Sequence, residues 1–105
     1  MQRRPAFGYM RIDHAGSDAE REALQSQLRS FAETENYLLE QIFVDVSDGT
    51  SSAYAALIEA THYAGITTIL VPSLDHLGRL ASLRAAIIQH IEAETGAHVV
   101  AVQAA

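Results

Sequence analysis

The feature that most constrains this chain is the alternation of short β-prone apolar runs with longer stretches of helical periodicity. Thr67 to Val71 (TTILV) is the most apolar and most β-prone run. A strand that reads this way has both faces covered by helices, and it is expected in the middle of a sheet. Ala6 to Ile12 (AFGYMRI), bounded by Pro5 and by the polar residues up to Asp18, reads as the first strand. Leu38 to Val46 reads as the second and His98 to Val102 as the last. Between them lie three helical stretches. Ser17-Asp18-Ala19-Glu20 has the form of a capping box, and Ala23, Leu24, Leu28, Phe31 and Ala32 then recur at helical spacing to about Glu35. The second helix is expected over Ala53 to Ala64, with Leu57, Ile58 and Thr61 on one face and Gly65 as its stop. After a connection from Pro72 to Gly78, Leu80, Leu83, Ile87 and Ile91 mark a third helix ending near Thr95, with Gly96 after it.

The order β-α-β-α-β-α-β predicts an α/β fold: a three-layer sandwich with a mostly parallel sheet of four or five strands, helices on both faces and right-handed crossovers. At 105 residues one domain, spanning 1–105, is expected, with a single core that needs no staples. The absence of cysteine excludes a disulfide framework, a thiolate nucleophile and a thiolate metal centre. The apolar stretches are too short and too often broken by charge to span a bilayer, and no secretory h-region follows Arg3 and Arg4, so a cytoplasmic location without membrane contact is expected. A formal charge of −6 opposes the broad basic surface of a phosphate-tracking protein, and all seven positive charges are arginines.

Sites in such sheets form outside the carboxyl ends of the strands. There the sequence places Asp13, then Asp45 with the small polar loop Ser47 to Ser52, then Pro72 to Arg79. Three carboxylates at one edge, Asp13, Asp45 and Asp75, suit Mg²⁺, and that is one alternative. The favoured reading has no metal and no cofactor, with Asp13 paired to Arg11 or Arg79, because a carboxylate beside arginines gains more from pairing than from recruiting a cation. His76 is a candidate general base, but the histidines show no metal-ligand spacing, and His62, His76, His90 and His98 read most simply as surface or capping residues. Phe7, Tyr9, Tyr54 and Tyr63 read as core or helix-face residues, since no basic stripe interleaves them. The serines of the loop read as solubilisers and as an N-cap for the second helix.

Three segments carry a resemblance. Tyr9-Met10-Arg11-Ile12 followed by Asp13, Phe43-Val44-Asp45 with Ser47 and Gly49, and Leu74-Asp75-His76-Leu77-Gly78-Arg79 resemble, in order and spacing, the signatures of the resolvase/invertase serine recombinases. The similarity runs from Phe7 to about Val102, with Gln25 matching a glutamine of the family's first helix. In that family a serine hydroxyl attacks a DNA phosphodiester while arginines neutralise the phosphate and the charge that develops on it. The resemblance implies that Arg11, Asp75 and Arg79 are retained site residues.

It also implies three losses. The family's serine is Asp13 here, an arginine after the Ser/Gly loop is Tyr54, and the first arginine of the third signature is His76. Each lost clamp is worth about 3 kcal/mol of transition-state stabilisation, and a carboxylate at position 13 sets negative charge against a phosphodiester. The expectation is therefore a degenerate family site, made of Arg11, Asp13, Asp45, Tyr54, Asp75, His76 and Arg79, in a catalytically inactive domain that binds or regulates through contacts with another protein. Self-association through Leu80, Ile87 and Ile91 is a second kind of contact open to it. No helix-turn-helix module is read in the sequence, so direct DNA binding is expected to be weak or absent. The alternatives are a Mg²⁺-dependent enzyme or switch for a phosphorylated ligand, using Asp13, Asp45 and Asp75, and an accessory DNA-associated subunit of a recombination system.

Overall fold

Each apolar run forms a strand and each periodic stretch a helix in the computed structural model, which describes residues 3–12, 18–46 and 52–103. In chain order the elements are β1 (Arg4–Ile12), α1 (Asp18–Thr34), β2 (Tyr37–Val46), α2 (Ser52–Ala64), β3 (Thr68–Val71), a 3-10 turn (Leu74–Leu77), α3 (Ala81–Thr95) and β4 (His98–Ala101). The expected boundaries hold to within two residues, and the connection after β3 is not plain loop but holds that turn. Gly65 and Gly96 follow α2 and α3 with φ of 67° and 75°, the left-handed conformation that ends a helix and that glycine adopts at little cost. Ser17 lies outside the described residues.

All strand pairs are parallel, and the order is β2-β1-β3-β4. The chain first moves from β1 outward to β2, then crosses back over β1 to β3 and on to β4. Crossovers of one hand must then put α1 on one face and the later helices on the other. The core shows this division. Leu28 and Ala32 of α1 pack with Ala6, Leu70, Leu39 and Ile42 on one face. On the other, Leu57 of α2 and Ile91 of α3 pack with Phe7, Tyr9, Phe43, Ile69 and Val71. All four residues of β3 are buried, as its sequence requires for an interior strand. The reversal of strand order falls between β1 and β3, which fixes the crevice of the site at their carboxyl ends.

Two local features set the register. The β1–β2 pairing slips by one residue, from Ala6 opposite Leu39 to Phe7 opposite Gln41, so Glu40 is an extra residue in β2, a bulge. Leu39 and Ile42 consequently both face α1. Opposite them Gly8 lets the helix approach closely: a Cβ at position 8 would stand 3.1 Å from Leu28 Cδ1 and 3.2 Å from Ile42 Cγ1. The third helix departs from expectation at its start. Ile91 is buried and Ile87 packs on the core, but Leu80 precedes the helix with 68 % exposure and Leu83 is 47 % exposed.

The contact at Gly8 gives a test. Leu28→Ala is expected to lower stability by about 3 kcal/mol through cavity formation, and Gly8→Val by about 1–3 kcal/mol through overpacking. The double variant should lose less than the sum, because the space left by the leucine accepts the valine. Urea denaturation of the four proteins measures that coupling, and simple additivity would contradict the packing described.

Candidate functional site

The site is built on the last residues of β1 and β2 and the segment after β3. In β1, Tyr9 and Arg11 are two apart and so lie on the same face of the strand. Asp45 is the ninth residue of β2 and sits opposite Arg11 in the parallel register. Its carboxylate is buried, with 3 % exposure, and accepts three hydrogen bonds. Tyr9 donates its hydroxyl to Oδ2 at 2.7 Å, and the amides of Ala53 and Tyr54 donate to Oδ1 and Oδ2 at 2.9 Å each. Those amides belong to the first turn of α2, where donors have no partner within the helix and the dipole favours an anion. Asp45 therefore caps α2 from the end of β2, while Ser47 and Ser51, two of the loop serines among which an N-cap is expected, lie outside the described residues. The Arg11 guanidinium lies 3.8 Å from Asp45 Oδ2 and donates to the Tyr9 hydroxyl at 3.3 Å.

These contacts decide the chemistry of the two groups. Burial, and then the hydrogen bond to Asp45, push the proton affinity of Tyr9 well above the ordinary tyrosine range, so its hydroxyl stays neutral. Asp45 already accepts from three donors and has a cation beside it. A Mg²⁺ ion recruited here would have to displace them, which disfavours the three-carboxylate alternative. Asp75, on the 3-10 turn, is exposed and accepts from Arg84 at 2.9 Å. Asp13 lies outside the described residues, as do Ser47, Gly49 and the rest of the polar loop through Ser51, so its pairing with Arg11 or Arg79 is not visible. Among the described residues no three potential metal ligands cluster.

His76 departs from the expectation of a surface or capping residue. It is part-buried, and its Nδ1 accepts the Arg11 amide at 3.0 Å, tying the 3-10 turn to the end of β1. An Nδ1 that accepts carries no proton, so the ring is neutral and presents its donor at Nε2. Burial lowers the proton affinity of this histidine, against the opposing pull of the Arg11 backbone, Asp75 and Glu20. Tyr54 lies across α2 and α3, its hydroxyl 2.7 Å from His90 Nδ1 and its ring edge-on to Tyr9 at 6.0 Å. Burial first, then the Glu94 carboxylate, raise its proton affinity as well. Arg79 and Arg11 line a cavity of about 520 Å³ with Asp75, His76 and Glu20, while Arg11 and His76 also line a smaller one of about 160 Å³ with Tyr9 and Tyr54. The structure thus brings Arg11, Asp45, Tyr54, His76, Asp75 and Arg79 to one end of the sheet.

The family model described as Resolvase, N terminal domain, matches residues 6–105. The chain belongs to that family. Three solved structures are similar to this resolvase domain. The C-terminal catalytic domain of ISC1926 TnpA, an IS607-like serine recombinase, is 16 % identical with a TM-score of 0.79, over 95 % of this chain and 68 % of that one. The N-terminal catalytic domain of TP901-1 integrase is 18 % identical with a TM-score of 0.75, over 94 % and 77 %. A resolvase family site-specific recombinase from Streptococcus pneumoniae is 19 % identical with a TM-score of 0.75, over 95 % and 72 %. At these identities the likeness is one of fold. No curated protein matches the chain significantly.

Two contacts in the resolvase domain have measurable weight. Asp45→Ala leaves the Tyr9 hydroxyl and two first-turn amides without their acceptor and is expected to cost about 3 kcal/mol, more than the roughly 1 kcal/mol for Tyr9→Phe. Thermal denaturation of the two variants checks the order. For His76 the sign follows from its lowered proton affinity. The unfolded chain takes up a proton near pH 6.5 while the folded protein resists it, so the contribution is present above about pH 6.5 and is lost as the pH falls below it. The stability gap between the wild type and His76→Gln should therefore narrow between pH 7.5 and pH 5, and a constant gap would contradict the neutral-ring assignment.

Proposed function

We propose that this resolvase domain is catalytically silent and acts as a binding or regulatory module through contacts with another protein. One observation carries the reading. At two of the described positions where the resemblance puts phosphate-gripping arginines, the side chains are His76 and Tyr54, and both are engaged within the domain. His76 accepts the amide of Arg11, and Tyr54 meets His90. A neutral imidazole and a neutral phenol supply none of the charge that stabilises a phosphoryl transition state. The third position, Asp13, is known from the sequence alone, and it replaces a hydroxyl nucleophile with a negative charge.

The surface supports the other half of the reading. Leu80 and Leu83 stand exposed at the start of α3, and Tyr63 on α2 is 92 % exposed. Large exposed apolar groups of this kind favour protein contacts, whereas a net charge of −6 works against a DNA backbone.

Incubation with supercoiled DNA, followed by denaturing electrophoresis for protein-linked strands, tests the reading. Neither relaxation nor a covalent adduct is expected under conditions where an active serine recombinase gives both. An adduct on any residue of this chain overturns it.

A further inference from the structure

The two edges of the sheet are unequal. β2, at one edge, carries the bulge at Glu40 and an exposed carboxylate there, two devices that blunt a strand against pairing with other chains. β4, at the other edge, reads His98-Val99-Val100-Ala101 and pairs with β3 in unbroken register. It has no bulge, no proline and no acidic, lysine or arginine side chain. Its inward groups belong to alternate residues: the amides of His98 and Val102 donate to the carbonyls of Thr67 and Val71. By the same alternation the amides and carbonyls of Val99 and Ala101 point away from β3, and among the described residues no strand lies beyond them. The outward row is closed at both ends. The amide of Ala97 donates to Thr95 Oγ1 and that of Gln103 to the Pro72 carbonyl, so the open donors of this edge are those of Val99 and Ala101.

We propose that β4 is a self-pairing edge: a second copy of this chain lays its own β4 antiparallel against it, about a twofold axis through Val100. This register follows from the open groups. With the axis at Val100, Val99 stands opposite the partner's Ala101 and Ala101 opposite the partner's Val99, and each pair exchanges two hydrogen bonds. Moving the axis by one residue sets an open amide or carbonyl against the amide of Ala97 or Gln103, which is already spent. His98, the one titratable side chain of the strand, then lies opposite the partner's Val102 and not opposite its own copy. Val100 and Val102 lie on the α1 face, where Val102 and Phe31 line a groove of about 490 Å³, so the partner's strand adds apolar contact beside the ladder. The joined sheet ends in a bulged β2 at both sides, and assembly stops at two copies.

Sedimentation equilibrium of the full chain measures the association. A species of twice the chain mass is expected, with a Kd of about 100 μM or tighter, the range of a small interface. Ala101→Pro removes one outward donor from each copy and none of the bonds to β3, since proline is tolerated on an edge strand where its nitrogen faces outward. It should weaken association about tenfold or more. Leu80→Ser combined with Leu83→Ser, away from β4, should leave association unchanged. In a mixture of ¹³C-labelled and unlabelled wild-type chains, an isotope-filtered NOE is expected between the Hα atoms of Val100 in the two copies, because residues on the twofold form the close, non-hydrogen-bonded pair. That measurement decides alone should the proline variant fail to fold. A single chain mass at about 1 mM protein, a dimer that Ala101→Pro leaves intact, one that the leucine variant abolishes, or one without the Val100 contact overturns the pairing. A DNA adduct would defeat the silent-domain reading and leave the pairing standing, whereas a monomeric chain defeats only the pairing.

Discussion

A single buried carboxylate joins the elements on which the rest of the resolvase domain depends. Asp45 receives the Tyr9 hydroxyl from β1 and the amides of Ala53 and Tyr54 in the first turn of α2, so the sheet, its edge strand and the following helix are fixed to one another at one pair of oxygen atoms. Burying a carboxylate is costly unless it is fully hydrogen-bonded and its charge is compensated. Here the donors, the helix dipole and the nearby Arg11 do both. The same arrangement holds Arg11 beside Tyr9 and places its amide against His76, so the geometry of the site follows from a contact that does no chemistry itself.

The fold was legible because its signals are local or periodic. The apolar run ending at Val71, the glycines after α2 and α3, and the helical spacing of Leu28 and Ala32 each act within a few residues of chain. The family was legible through Arg11, Asp45, Asp75 and Arg79, which lie at strand ends. What the sequence hid were partnerships between distant segments. Capping usually comes from the residue before the helix, and nothing local to α2 announces that the amides of Ala53 and Tyr54 meet a carboxylate eight and nine residues back in β2. His76 reads from the sequence as a surface or capping residue, because nothing in its own neighbourhood announces a bond to an amide sixty-five positions away. Leu80 was read by periodicity as part of the third helix, although the helix begins one residue later and leaves it exposed.

The acidic balance of the chain gains a location from this. On the proposed reading, Asp13, Tyr54 and His76 together lower the charge by three units relative to the pattern the resemblance implies, two positive charges lost and one negative charge gained. At His76 and Tyr54 the structure shows bonds within the domain, one across β1 and the 3-10 turn, one across α2 and α3. The fold does not depend on the two arginines of the family pattern that Tyr54 and His76 replace, because the scaffold contacts at Tyr9, Arg11, Asp45 and the core are separate from them. A site can then be dismantled while the architecture that presented it is retained.

The extra residue at Glu40 has a consequence for what changes β2 can absorb. Side chains along a strand alternate between faces, so Leu39 and Asp45, six positions apart, would share the α1 face in an uninterrupted strand. The bulge reverses that parity between Leu39 and Ile42, and only for this reason does Asp45 reach the opposite face, where α2 begins. The segment from Leu39 to Asp45 therefore tolerates substitution far better than a change of length. Losing or gaining one residue there would aim the carboxylate at the wrong helix, so indels in this short stretch should be purged from any lineage that keeps the domain folded.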